Sequence, residues 1–269
     1  MGKIFDRVLC VLIGSSWALT GLPGQSNELP KGNKTPAIEP QAAQILKQMS
    51  DYLKGLPQFS VQAEITEDIL FDSGQKIQFG RNVTAIVRRP NQFKIYSEGD
   101  LSSGQLFYDG KTMTLMDLTQ NAYSTVLAPA EIDNALLHAI KTYNLRAPLA
   151  DLIYTNVYEY LTSGTTVGYY IGLSKVQGQM CHHLAFRKKD IDWQIWIEND
   201  STPVPCKLVI TDKQEVQGLQ FTALLNNWNT APKLDDQTFS FVPPAQAKKV
   251  DLLTLPPVSA PMEPKKTGN

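Results

Sequence analysis

Histidine is almost absent: only three occur in 269 residues, so the commonest general acid–base group of enzymes is nearly unused. Cysteine is as sparse, also at three, too few for a disulfide-dense scaffold or a four-cysteine zinc site. No charge sign dominates, with 25 basic against 26 acidic side chains and a net charge of −1. That balance excludes recruitment of nucleic acid or an anionic membrane by long-range field. Missing too are a Gly-x-Ser-x-Gly nucleophile elbow, a phosphate-binding loop, a dinucleotide fingerprint and a zinc-protease histidine pair. What is present, 42% hydrophobic residues with 17 Gly and 17 Pro, suits a folded chain rather than a disordered polymer or collagen.

The N-terminus reads as an export signal over residues 1–18. Lys3 and Arg7 form a basic start, Val8 to Ile13 an apolar run, and Ser16 and Ala18 the small residues of a cleavage site after Ala18. The run is far shorter than the roughly 20 residues that span a bilayer, so no transmembrane span is expected. Cys10 lies inside the run after Val8-Leu9, the wrong context for a lipid-acceptor cysteine. A soluble periplasmic protein is expected. Residues 19–39 read as a disordered linker, 40–249 as a single domain, and 250–269, with Lys265-Lys266 and no periodicity, as a disordered tail.

Within the domain, Ala42, Ile45, Leu46, Met49, Tyr52, Leu53 and Leu56 recur at three- and four-residue steps. They predict an amphipathic helix started by Pro40 and stopped by Gly55 and Pro57. Alternating segments follow. Strands are predicted at 59–71, 77–87, 93–97, 104–108, 113–115 and 123–127, with Asp109-Gly110 a hairpin turn. Pro129 to Tyr143 and the broken stretch 147–161 read as helical. Strands resume at 165–176, 179–186, 192–198, 207–211, 219–228 and 239–241, and Pro243-Pro244 ends the fold. This order predicts an α+β fold: one large curved antiparallel meander, an incomplete half-open barrel, with the helices plugging its concave face.

The chemically suggestive groups have ordinary readings. His182 and His183 are neighbours on a strand and point to opposite faces. Cys181 and His183 share a face but lack partners for a metal site, so no metal or cofactor is implied. Asp72-Ser73-Gly74 mimics an aspartic-protease loop, but that chemistry needs two such carboxylates, and the triplet is ordinary turn chemistry. Arg88-Arg89 and Lys188-Lys189 read as solvated charges at strand ends. Cys181 and Cys206 lie two strands apart, about twice the 4.8 Å strand spacing, beyond the usual reach of a disulfide. An oxidising compartment makes a bridge conceivable, but two buried thiols are the expectation.

The block His182-His183-Leu184-Ala185-Phe186, Ile191 to Glu198, and Pro203-x-Pro205-x-Lys207-x-Val209-Ile210-Thr211 resembles a family of predicted periplasmic bacterial proteins, domain of unknown function 2092. Arg89-Pro90-Asn91, Tyr108 to Lys111, Ala147 to Asp151, Trp228-Asn229 and Phe241-x-Pro243-Pro244-x-x-Ala247 fit the same pattern, while Cys206 departs from it. The family is similar in fold to the lipoprotein carriers LolA and LolB. That resemblance implies a half-barrel plugged by helices and supplies no catalytic residue.

The expected function is a binding or carrier module for a hydrophobic ligand, either a lipid or a lipidated protein. Candidate wall residues are Trp193, Trp196, Phe186, Leu149, Ile153 and Ile140. The alternative is an envelope sensor or assembly factor that binds a protein partner through a sheet edge. An enzyme built around Cys181, His183 and Asp192 is the third reading.

Overall fold

The computed structural model describes residues 37–145, 149–214 and 217–252. Helix α1 spans Pro40–Gly55. Proline stands in its first turn, where its missing N–H is no loss. Ala42, Ile45, Leu46, Met49 and Leu53 are buried along one stripe. Each large apolar side chain so buried stabilises the packing by roughly 1.5–3 kcal/mol.

Strands β1 (Gln58–Leu70), β2 (Lys76–Arg88), β3 (Gln92–Gly99), β4 (Ser103–Tyr108), β5 (Thr112–Asp117) and β6 (Ala122–Leu127) form one antiparallel meander. Asp72-Ser73-Gly74 is the β1–β2 turn, with Gly74 left-handed at φ +79° and donating to the Phe71 carbonyl at 2.8 Å. Asp109 accepts the backbone N–H groups of Lys111 and Thr112, which closes the β4–β5 hairpin. Helix α2 (Ile132–Tyr143), a 3₁₀ turn at Ala150–Leu152 and helix α3 (Val157–Thr162) follow. A second meander comprises β7 (Val167–Val176), β8 (Gln179–Arg187), β9 (Ile191–Glu198), β10 (Pro205–Asp212) and β11 (Gln220–Asn229).

With a short strand β12 (Lys248–Lys249), the sheet is open and, among the described residues, twelve-stranded, in the order β12-β6-β5-β4-β3-β2-β1-β11-β10-β9-β8-β7. The expected half-open barrel with a helical plug is the observed architecture. The single continuous meander is not. Two meanders are sutured by antiparallel pairing of β1 with β11, the first strand of one and the last of the other. Sequence-adjacent hairpins specify each meander, but only the shared apolar core specifies which strands meet between them.

One cluster fills the concave side. It joins Val61 and Ile65 of β1, Val83 and Val87 of β2, Ile95, Leu106, Leu184, Trp193, Ile195 and Leu208 to the buried stripes of all three helices.

Segments at both ends of the described chain pack onto the sheet. Ala37 to Glu39, placed in the linker, lie along β7: Glu39 N–H donates to the Gly168 carbonyl at 2.9 Å, and the Tyr170 N–H to Glu39 Oε2 at 2.9 Å. At the other end the fold does not stop at Pro243-Pro244. The segment expected as a strand at 239–241 begins instead as a 3₁₀ turn, Asp236–Phe239, capped by the Asp235 carboxylate on Thr238 N–H. Phe239 is buried on the convex side, with Arg88 over its ring at 4.8 Å, and Phe241 packs on Phe107 and Tyr123. The chain then adds β12 (Lys248–Lys249) parallel to β6, and Val250 N–H donates to the Tyr123 carbonyl. The export signal, most of the linker and residues 253–269 lie outside the described residues.

Candidate functional site

The site begins with the alternation of β8 and β9. His182, Leu184 and Phe186 face the helices, as do Trp193, Ile195 and Ile197, because paired residues share a face. Phe186 pairs with Trp193, and their rings stack at 4.2 Å and 15°. Trp193 is 0% exposed, and its indole Nε1–H has no acceptor among the described residues. An orphan donor of this kind costs about 1–3 kcal/mol.

The segment Leu149 to Thr162 joins the same core as this pair. It is a poor helix: Leu149 is left-handed at φ 61°, the 3₁₀ turn holds three residues, and α3 holds six. Its Leu149, Leu152, Ile153, Val157 and Leu161 are all buried in the common core. Polar groups tie it down as well. The Tyr158 N–H donates to Ser50 Oγ of α1 at 2.9 Å, and Thr155 donates to the Asp133 carboxylate of α2.

Of the six candidate wall residues, Trp193, Phe186, Leu149 and Ile153 are brought together in this one interior. Ile140 is half-buried on α2 and stands apart from that cluster. Trp196 is on the opposite, convex face and cannot share a cavity with Trp193, because one residue along a strand reverses the direction of the side chain. There it stacks on His183 at 4.0 Å, donates Nε1–H to Ser174 Oγ at 3.0 Å and carries Lys207 over its ring at 4.7 Å.

The convex face also corrects the expectation for the cysteines. Cys181 and Cys206 form a disulfide with a Cα separation of 7.2 Å. Two features shorten the distance expected for alternate strands. Cys181 pairs with Glu198, the last residue of β9, so little backbone intervenes. Cys206 occupies an irregularity in β10 between Pro205 and Lys207, which breaks the regular alternation of faces there.

The trio considered for catalysis is not assembled. The Cys181 sulfur is committed to the bridge. The Asp192 carboxylate is held by Arg187 at 2.9 Å and Lys213 at 3.1 Å, and these hydrogen bonds, Arg187's first, keep it below its ordinary pKa. His183 bonds Gln194 at 2.9 Å, and burial pulls its imidazole below the usual range. Among the described residues no group of three or more His, Cys, Asp or Glu could hold a metal ion.

Two cations expected in solvent are instead drawn inward at the seam between sheet and plug. Lys188 is 7% exposed and its ammonium makes no hydrogen bond among the described residues. Desolvation, only partly opposed by the Asp151 charge, pushes it down to about 8. Arg89 donates Nη2–H to the Tyr154 carbonyl at 3.3 Å, while its Nε and Nη1 are buried without partners among the described residues. Burial lowers its pKa against the attraction of Asp133. Paired basic residues beside strand ends look like surface charge; nothing local marks which one of each pair turns inward.

No curated protein sequence matches this chain. Among solved structures, it is similar to an uncharacterised conserved protein from Thermus thermophilus, with 10% identity, a TM-score of 0.47, and 78% of this chain and 99% of that one covered. It is similar to the lipoprotein LppX of Mycobacterium tuberculosis, with 13% identity, a TM-score of 0.43 and coverages of 73% and 100%. It is similar also to MucB, with 14% identity, a TM-score of 0.43 and coverages of 76% and 64%. Residues 42–253 match the family described as "Predicted periplasmic protein (DUF2092)", and the chain belongs to that family.

Proposed function

We propose that this periplasmic protein binds and carries an acyl-chain ligand on the concave face of its sheet, beneath residues 149–162. The observation that carries this reading is the character of that lid. It is short and broken, and the face it buries is made of apolar side chains that a hydrocarbon could replace. Withdrawing Leu149, Leu152, Ile153, Val157 and Leu161 costs about 1.5–3 kcal/mol each, so about 8–15 kcal/mol together, and a sixteen-carbon chain buried at about 0.8 kcal/mol per methylene returns about 12 kcal/mol. Lid and ligand are therefore near exchange balance. The orphan indole N–H of Trp193 offers one polar contact, suited to an ester or amide carbonyl at the head of the chain.

The test is quenching of tryptophan fluorescence by doxyl-labelled stearate in a Trp196→Phe/Trp228→Phe background of the chain without residues 1–18, where Trp193 is the one tryptophan left. Binding beneath the lid gives saturable quenching of Trp193. Unquenched emission at saturating stearate would refute the proposal.

A protein partner is the second reading. Strand β7 is a sheet edge, and Tyr169, Ile171 and Leu173 on it are each about half exposed. Residues 37–39 occupy that edge only at Gly168 and Tyr170. The remainder of β7 offers backbone and apolar side chains to an added strand.

A further inference from the structure

A cavity lies at the rim of the sheet, lined by none of residues 149–162. Its volume is about 490 Å³, inside the roughly 300–1,000 Å³ range of small-molecule sites. Three chain reversals build it: the β7–β8 turn, the β9–β10 loop and the end of β11. The disulfide residue Cys206, with Val204 and Leu225, forms a small apolar floor.

Apart from Val176 and Trp228, the rest of the lining is polar, and it carries no cationic side chain among the described residues. Gln177, Gln179 and Asn226 present carboxamides that make no hydrogen bond among the described residues, whereas Asn227 is anchored to Gln62 Oε1 at 2.6 Å. Trp228 supplies a fixed wall. Its Nε1–H donates to the Pro205 carbonyl at 3.0 Å and its ring packs on Phe59 at 5.7 Å. Gln177 and Asn227 hold left-handed backbones at φ 48° and 52°, Gln177 as the first residue of the Gln177-Gly178 hairpin turn.

From this lining we infer that the rim cavity is a binding site for a neutral saccharide. A free carboxamide both donates and accepts, and so matches the paired donor and acceptor of vicinal hydroxyls or of an acetamido group. The indole of Trp228 and a small apolar floor suit the C–H groups of a sugar ring. A lining without Lys, Arg or His among the described residues disfavours an anionic ligand or a peptide C-terminus. Glu198, whose carboxyl is raised above its ordinary value by burial and then by Asp200, adds a further hydrogen-bonding group. The bridge between β8 and β10 makes the floor rigid, so little ordering accompanies binding.

The experiment is backbone amide shift mapping of the intact protein titrated with N,N′-diacetylchitobiose, and separately with maltotriose. The expected result is saturable shifts from at least one sugar, confined to residues 176–179, 198–206 and 225–230. The double variant Gln179→Ala/Asn226→Ala, both at the cavity surface, weakens binding roughly tenfold or more. Silence toward both sugars at millimolar concentration overturns the inference. So does sugar binding that the double variant leaves unchanged, and so do equivalent shifts caused by a capped neutral tripeptide when both sugars are silent. None of these outcomes bears on the acyl-chain reading, whose probe sits beneath the helices.

Discussion

Removing the Cys181–Cys206 bridge is the most direct test of how the second meander is held. The two residues are 25 apart in sequence. A cross-link closing a loop of that length removes unfolded-state entropy that corresponds to about 3.5 kcal/mol at 25 °C. Both sulfurs are buried, in a small cluster with Val176, Trp196 and Leu224, so alanine at both positions also leaves a modest void. The double variant Cys181→Ala/Cys206→Ala is therefore expected to lose about 3–5 kcal/mol, a fall in Tm of about 6–20 °C for a domain of this size. Urea unfolding by far-ultraviolet circular dichroism measures it, alongside the wild type with and without reductant. The reduced wild type should unfold near the variant. A midpoint shift worth less than about 1 kcal/mol, at unchanged slope, would refute the claim that the bridge constrains the unfolded chain.

Lys188 gives a pH signature. Its pKa falls from 10.5 to about 8 on folding, so between those values the unfolded chain binds more protons and stability rises with pH, by about 1–2 kcal/mol after allowing for partial solvation. Lys188→Met should flatten that rise, which urea midpoints at about pH 7.5 and about pH 10 will reveal. Gly110 holds φ +92°, and a β-carbon there would stand 2.7 Å from Asn91 Nδ2. Gly110→Ala should cost about 1–3 kcal/mol in thermal unfolding, whereas Gly55→Ala, in open space at the end of α1, should cost nothing measurable.

Local chemistry determined much of this protein. The three- and four-residue stripe of α1, the alternation of β8 and β9, and the Asp109-Gly110 turn each follow from one stretch of chain, and all were legible as written. Even the separation of Trp193 from Trp196 onto two faces follows from a period of two. What depended on distant partners was not legible. The β1–β11 suture joins strands that no hairpin connects. Cys206 reaches Cys181 only because of a bulge in β10 and the end of β9, neither of which has a signature at the cysteines themselves. Lys188 is buried and Arg89 half-buried where sheet and helices meet, and the rim cavity exists because three separate turns converge. Periodicity is a property of adjacent residues; burial, bridging and cavities belong to the way the two meanders and the helices close on one another, and only the tertiary structure decides that.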